Sequence, residues 1–390
     1  MKKYLLLLLV LLVGCKTTNS SSVGDSSTVT SAGDSSTVTS VTSSSTSSSV
    51  IEESSSAPEV VYGIPTPATG FYMKDADIIE ESNKDRYLLY LTNAEAGEED
   101  NVIAIRKGTF DAENGYAYSA EHLVLTPSST GWDKNLSSAS ISKGDFNYAG
   151  NSYSYLLAYG GSVVADKAYS IGLAVANNPL GTWTRVGTEP VIKYEPAIYG
   201  STYSGFYAPS LVNLSQTSIM RLFYTWADAY GHFTYFVDFD ASDLSDIDIE
   251  GFVMVPTNGD LDSGDAVTMI PNADFAYDAE SEEFYMIKDY SPAASKAPKV
   301  SIKIELAKIS EEELYTTDIG EGWESLNVWI FLDTPNSDWE RLYSGTIVSD
   351  EYGHLLTSEK IEVIYNISDL EQNTPSYIFT QRLVETFYEV

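Results

Sequence analysis

The chain has 390 residues, and its 56 Asp and Glu against 22 Lys and Arg give a formal net charge of −34. Because phosphate groups attract Lys and Arg, this balance argues against nucleic acid or an anionic membrane surface as a partner. Cys15 is the only cysteine, which excludes a disulfide framework and a cysteine-based metal site within the chain.

Residues 1–14 are typical of a removable export signal. Two lysines precede an apolar run over residues 5–13, which is far shorter than the roughly 20 residues of a membrane span. The segment LVGC that ends it resembles the bacterial lipobox, in which the cysteine thiol is lipidated. The resemblance implies lipidation of Cys15 and an exported, membrane-anchored lipoprotein, periplasmic or at the cell surface. The alternative is an ordinary signal peptide with an incidental cysteine.

Residues 15–57 are predicted to form a lipidated flexible linker. This stretch is almost entirely Ser, Thr, Val and Gly, with a near-duplicate GDSSTVTS at residues 24–31 and 33–40. Such a composition cannot bury enough apolar surface to offset the entropy of ordering it. We expect it to tether the folded domain, residues 58–390, to the lipid anchor.

The domain contains five candidate units that keep one internal order of strands. Each unit has an aromatic-rich strand preceded by a short segment of small residues and followed by one or two further strands. The five aromatic-rich strands centre on residues 87–92, 155–161, 221–226, 283–288 and 362–367. Four-stranded units arranged radially predict an all-β fold, a five-bladed β-propeller. Two β-sandwich domains are the alternative.

The clearest unit spans residues 153–192. Its sequence predicts three successive strands over residues 155–159, 169–175 and 183–192, with turn residues between them. Helical patterns are scarce, and a single helical turn is predicted at residues 310–314.

The same unit carries a family resemblance through IGLAVANNPLGTWTRVGTEPVI, residues 171–192. It resembles the second blade of the five-bladed propeller glycoside hydrolases, the family 43 and levansucrase-type group. The motifs APSL at residues 208–211 and LFYT at 222–225 fit the same group, as do residues 273–278 and 284–285. The resemblance covers about residue 70 to the C-terminus and implies a propeller fold and action on a glycan.

Catalytic carboxylates in this group lie where inner strands of different blades begin. The resemblance places Asp75 where the family carries its general base, while Asp77 is a poorer match. At the corresponding places of units two and three the chain has Ser138 and Ala208, so two expected acids are absent. An enzyme would therefore need another acid.

Substitute acids and binding residues follow from position along the chain. Asp274, Asp228, Glu195 and Asp133 are the substitute acids, each with a solvated or structural role as the alternative. Aromatic side chains stack on sugar rings but also fill propeller cores. The candidate substrate-binding residues are Tyr207, Trp226, Trp132 and His232, with Tyr72, Tyr203 and Phe206 as further aromatics near the predicted channel.

These features predict hydrolysis of furanoside or xyloside bonds in an extracellular polysaccharide or oligosaccharide. The alternative is a surface propeller that binds glycans without cleaving them. A purely structural or protein-binding propeller has no specific feature in its favour.

The three histidines are widely separated and no Asp-x-Asp-x-Asp-Gly loop is present, so no metal site and no cofactor are expected.

Overall fold

The computed structural model describes residues 61–98, 100–247, 249–262, 269–290, 300–315, 322–330, 339–369 and 380–390. The predicted export signal, the linker and Cys15 lie outside the described residues. The described chain folds as the all-β, five-bladed propeller that the sequence predicts, and the two-sandwich alternative is wrong.

Each blade is built on antiparallel strands of one sheet, and the strand nearest the propeller axis is the one that precedes the aromatic-rich strand. The strands of blade 1 are β1 Val61–Tyr62, β2 Lys74–Glu80, β3 Arg86–Asn93, β4 Asn101–Asp111, β5 Gly115–Tyr118 and β6 His122–Leu125. Those of blade 2 are β7 Asn135–Tyr148, β8 Asn151–Ser162, β9 Ser170–Ala176 and β10 Thr184–Arg185. Those of blade 3 are β11 Gly205–Asn213, β12 Ile219–Ala227, β13 His232–Asp240 and β14 Val253–Met254.

Blades 4 and 5 follow in the same order. The strands of blade 4 are β15 Asp274–Asp278, β16 Glu283–Asp289, β17 Lys303–Ser310 and β18 Glu324–Ile330. Those of blade 5 are β19 Arg341–Ile347, β21 Lys360–Ser368 and β22 Arg382–Glu389, and the short strand β20 Ser349–Asp350 follows β19. The helices are short: α1 Pro196–Tyr199, a 3-10 turn Leu244–Asp246 and α2 Glu311–Leu314. Among the described residues, no helix has the length and apolar character needed to cross a membrane.

The central strands are apolar on both faces because a neighbouring blade covers each face. All eight residues of β3 and all seven of β9 are buried. Five buried clusters lie between successive blades, one at each junction. Representative pairs across them are Leu89 with Leu157, Leu156 with Leu222, Phe223 with Phe275, Ile287 with Leu342, and Leu88 with Ile364. The ring of blades is therefore closed.

Blade 5 is joined to blade 1 by backbone and side-chain contacts. Strand β2 pairs in parallel with β20, so that Ile79 lies opposite Ser349. The guanidinium of Arg86 donates to both carboxylate oxygens of Glu362, each at 2.6 Å. These contacts close the ring, and the pairing adds β20 to the sheet of blade 1.

Some predicted strands are shorter than the sequence indicated. The predicted strand over residues 183–192 contains only β10, because Gly187 has a φ of +72° that turns the chain. Ile192 instead forms an isolated bridge with Ile171. The helical turn predicted at residues 310–314 is present as α2, and Ser310 caps it by accepting from the N–H of Glu313.

Candidate active site

The inner strands of all five blades meet at one pocket of about 230 Å³. Its wall is formed by residues 74–77, 137–139, 207–209, 272–274, 341 and 343–345, together with Gln381. The first five sets come from blades 1 to 5 in order, so each blade contributes the beginning of its inner strand. Of the predicted site residues, Asp75, Asp274 and Tyr207 line this pocket.

A repeated backbone feature shapes the pocket wall. Four non-glycine residues at corresponding places have a positive φ: Asp75 at 50°, Ala208 at 49°, Asn272 at 47° and Ser344 at 46°. The strand register shifts at these places in blades 1, 3 and 5, as expected for β-bulges. Backbone strain of this kind tends to lie at functional sites, and the bulges turn these residues toward the pocket.

Two residues further along, a second set of side chains links blades 1 to 5 in sequence. Asp77 accepts from the N–H of Ile141 at 2.6 Å, and Asp274 accepts from the N–H of Ile347 at 2.9 Å. The equivalent serines do the same: Ser140 accepts from Leu211 at 3.0 Å and Ser210 accepts from Phe275 at 3.1 Å. These bonds satisfy backbone donors of inner strands that lie at the edge of their sheets and have no further strand to pair with.

The carboxyl groups of Asp77 and Asp274 hold protons more tightly than ordinary aspartates. Burial and the charge of Asp274 raise the pKa of Asp77 to about 7, against the opposing effect of the hydrogen bond from Ile141. Burial also raises the pKa of Asp274, against hydrogen bonds from Ile347, Ser210 and Thr346. Because the charge of Asp274 disfavours ionisation of Asp77, the two carboxyls do not ionise independently.

Asp75 is positioned from blade 5. Its carboxylate accepts a hydrogen bond from Ser344 Oγ at 2.7 Å, and its N–H donates to Asn366 Oδ1 at 2.9 Å. The backbone N–H of Ser344 in turn donates to Asp289 at 2.6 Å. Ser344 therefore connects the candidate base to a further carboxyl that lies behind the pocket wall.

Asp289 was not predicted from the sequence. It is 4% exposed and also accepts from Asn272 Nδ2 at 2.6 Å. Burial raises its pKa to about 7, while the bonds from Asn272 and Ser344 oppose the shift. In blades 3 and 5, Thr225 and Asn366 accept corresponding backbone bonds, so Asp289 has a positioning role. The only feature of the sequence that points to Asp289 is its place at the end of the predicted strand EFYMIKD.

Tyr207 and His232 form a pair beside the pocket. The Tyr207 hydroxyl lies 2.6 Å from His232 Nδ1. Burial lowers the pKa of His232, partly offset by the charge of Asp228, and burial raises the pKa of Tyr207. A neutral imidazole therefore holds a protonated phenol at the pocket wall. His232 does not line the pocket itself but orients a residue that does.

The other predicted residues lie away from the pocket wall. Glu195 is exposed at the beginning of α1, and the carboxylate of Asp228 accepts from the N–H of Tyr230 in a turn. Trp226 packs among Tyr199, Phe206 and Tyr235.

Trp132 and Asp133 have structural contacts in blade 2. The Trp132 ring stacks on Tyr159 with ring centroids 5.6 Å apart. Asp133 is 2% exposed and pairs with Arg185 at 2.6 Å, so its carboxylate fixes the blade rather than facing a ligand. Within the described residues, no group of three His, Cys, Asp or Glu is arranged to hold a metal ion.

Glycoside hydrolases are among the solved structures that match this fold. A thermostable family-43 glycoside hydrolase matches with a TM-score of 0.51 at 12% identity, over 84% of this chain and 92% of that chain. The chain has the fold of these hydrolases. The catalytic domain of a family-62 alpha-L-arabinofuranosidase from Coprinopsis cinerea matches with a TM-score of 0.52 at 11% identity, over 82% of this chain and 92% of that chain.

A fructofuranosidase from Schwanniomyces occidentalis matches with a TM-score of 0.51 at 12% identity, over 84% of this chain and 62% of that chain. No protein-family model and no curated protein matches the sequence. The predicted resemblance is thus confirmed at the level of the fold, and identities this low carry the likeness no further.

Proposed function

We propose that this protein is a glycosidase that hydrolyses furanoside or xyloside bonds. The observation that carries the proposal is the convergence in one pocket of Asp75 with the Asp77–Asp274 pair, whose pKa values are raised. Glycoside hydrolysis needs one carboxyl that retains a proton and another that activates water or attacks the sugar. Blades 1 and 4 supply both kinds of group.

The proposed roles follow from the surroundings of each carboxyl. Asp75 takes a proton from water, and the water oxygen bonds to the anomeric carbon as the glycosidic C–O bond breaks. Asp274 is half-buried at the pocket wall, burial raises its pKa, and it gives its proton to the departing oxygen. Ser138 and Ala208 take no part in proton transfer.

The pocket volume favours a small group. About 230 Å³ is below the roughly 300–1,000 Å³ of sites for drug-sized ligands, so it suits one terminal sugar. Relatives in fold include arabinofuranosidases and a fructofuranosidase by name, which agrees with a terminal furanoside as the substrate.

Aryl arabinofuranosides and aryl xylosides test this function. We expect Asp75→Asn and Asp274→Asn each to lower kcat at least about 100-fold, since general acid–base groups contribute that much or more. Asp145→Asn is the matched control, because Asp145 is exposed near the far end of β7. Equal turnover by wild type and Asp75→Asn would remove Asp75 from the mechanism.

A propeller that binds glycans without hydrolysis is the second candidate. The residues Ser138 and Ala208 favour it, because, among the described residues, blades 2, 3 and 5 contribute no carboxylate to the pocket wall. Sugar binding by calorimetry, with no turnover of any aryl glycoside, would support this candidate over the hydrolase.

We also propose that the protein is exported and anchored to a membrane through a lipid on Cys15. The short apolar run and the segment LVGC at residues 12–15 support this. In cells given a labelled fatty acid, we expect label on the wild type and none on Cys15→Ala. Recovery of Cys15→Ala in the membrane fraction would count against the anchor.

A further inference from the structure

The blade-5 side of the pocket contains two buried polar atoms that lack a partner. The Tyr343 hydroxyl and the Gln381 side-chain oxygen form no hydrogen bond with any described residue. Tyr343 is 4% exposed and Gln381 is 3% exposed, and both residues line the pocket. A buried polar group without a partner costs about 1–3 kcal/mol, so two together at one wall require a reason.

The position of Tyr343 relates it to the proposed chemistry. It directly precedes Ser344, whose hydroxyl donates to Asp75. The Arg341 guanidinium lies 3.8 Å from the centre of the Tyr343 ring and fixes its face. Burial raises the pKa of Tyr343, and the charges of Asp75 and Asp289 add to the effect of burial, so the hydroxyl remains a donor.

Gln381 lies across the junction between blades 5 and 1. Its backbone carbonyl oxygen lies 3.5 Å from the backbone nitrogen of Met73, the residue before β2. Its side-chain oxygen is an acceptor, whereas Tyr343 offers a donor. One wall therefore presents a complementary pair beside the candidate base.

We propose that Tyr343 and Gln381 determine sugar specificity by hydrogen-bonding two hydroxyl groups of the terminal sugar. Tyr343 donates to one hydroxyl oxygen, and Gln381 accepts from a hydroxyl hydrogen. This inference rests on the proposed function, because it concerns the same pocket. A site built to bind a hydroxyl discriminates strongly against an analogue that lacks it, since the buried protein group is then left unpaired.

Tyr343→Phe is a sharp test, because the hydroxyl that it removes makes no bond within the described protein. We expect the melting temperature to stay the same or rise, while kcat/KM falls at least about 10-fold, the value of one hydrogen bond. The contrasting control is Tyr90→Phe, whose hydroxyl donates to Glu121 at 2.7 Å and accepts from Arg106 at 2.8 Å. It should lower the melting temperature and leave kcat/KM unchanged.

Deoxy substrates identify the bonded hydroxyl. Wild type should show a lower kcat/KM for one deoxy aryl glycoside than for its parent substrate. Tyr343→Phe should show no such difference. Gln381→Met should lose the preference for a different hydroxyl. If wild type and both variants show the same preference among the deoxy substrates, the inference is overturned. The two buried atoms would then bind an ordered water instead of the sugar.

A binding measurement separates this inference from the proposed function. If Asp75→Asn abolishes turnover while Tyr343→Phe retains it in full, the hydrolase stands and the inference fails. If wild type hydrolyses no glycoside, stabilisation of the protein by L-arabinose or D-xylose in a thermal shift assay remains as the readout. Weaker stabilisation of Tyr343→Phe than of wild type then supports the inference, and equal stabilisation overturns it.

Discussion

At the scale of single residues, the central pocket is defined by carboxyl groups that differ in their surroundings. Asp77 is 7% exposed and bonded to the N–H of Ile141, whereas Asp75 is partly exposed and bonded to Ser344. The two residues lie on one strand two positions apart. Burial separates their chemistry, as it does for carboxyl pairs that serve as acid and base.

The raised pKa of Asp77 predicts a pH-dependent stability. Its pKa is about 7 in the folded protein against an ordinary 3.8, so the folded state binds more protons than the unfolded state between those values. The free energy of unfolding should therefore fall as pH rises from about 4 to about 7. Asp77→Asn keeps an oxygen acceptor for Ile141 and should raise the free energy of unfolding at pH 8 by about 1–4 kcal/mol.

Urea denaturation at pH 4, 6 and 8 measures this effect. Near pH 4 the variant and wild type should differ little, because Asp77 is protonated in the folded wild type and partly protonated in the unfolded chain. Asp145→Asn should follow the wild-type pH dependence. The assignment fails if Asp77→Asn loses stability with pH as steeply as wild type does.

At the scale of elements, neighbouring inner strands are joined by side chains rather than by sheet pairing. Ser140 and Ser210 accept backbone hydrogen bonds from the next blade, at the places where blades 1 and 4 use aspartates. The sequence segments SASI and APSL thus have a structural function that their small residues alone do not reveal. Apolar contact, such as the Phe223 and Phe275 rings 3.8 Å apart, completes each junction.

Removing one of these hydroxyls should destabilise one blade junction. Ser210 is 1% exposed, and Ser210→Ala leaves the buried N–H of Phe275 without its acceptor. We expect the free energy of unfolding to fall by about 1–3 kcal/mol in urea denaturation. Ser281→Ala changes an exposed serine in the β15–β16 turn and should change the free energy of unfolding by less than about 0.5 kcal/mol. Equal effects would show that the bond from Phe275 contributes nothing.

At the scale of the whole molecule, ring closure depends on the junction between blades 5 and 1. Arg86 is 6% exposed and is held by Glu362 and by Glu80, the latter at 2.9 Å from Nε. Its guanidinium also lies 3.9 Å from the centre of the Tyr116 ring. Because the first and last blades meet here, contacts at this junction act on the whole ring.

The substitution Glu362→Gln should therefore lower the free energy of unfolding. It leaves the buried guanidinium with only part of its compensating charge, and loss of one partner of a buried pair typically costs about 3–5 kcal/mol. Since Glu80 remains, we expect a loss near the lower end of that range in urea denaturation. Glu389→Gln is the matched control on the same blade, because its pair with Lys360 spans 3.8 Å between exposed side chains. If Glu362→Gln lowers the free energy of unfolding as little as Glu389→Gln does, the apolar cluster at this junction, rather than the ion pair, closes the ring.

The sequence by itself determined the number of blades and the order of their strands, because strand periodicity and turn residues are local properties. The resemblance to the propeller glycoside hydrolases singled out Asp75, which lies where that group carries its general base. Only the tertiary structure brought Asp274 into the pocket with Asp75, separated Glu195 and Trp226 from its wall, and revealed Asp289, Tyr343 and Gln381. The physical reason is that burial and partnership arise where five distant strand ends converge, and local spacing does not encode which side chains then remain unpaired.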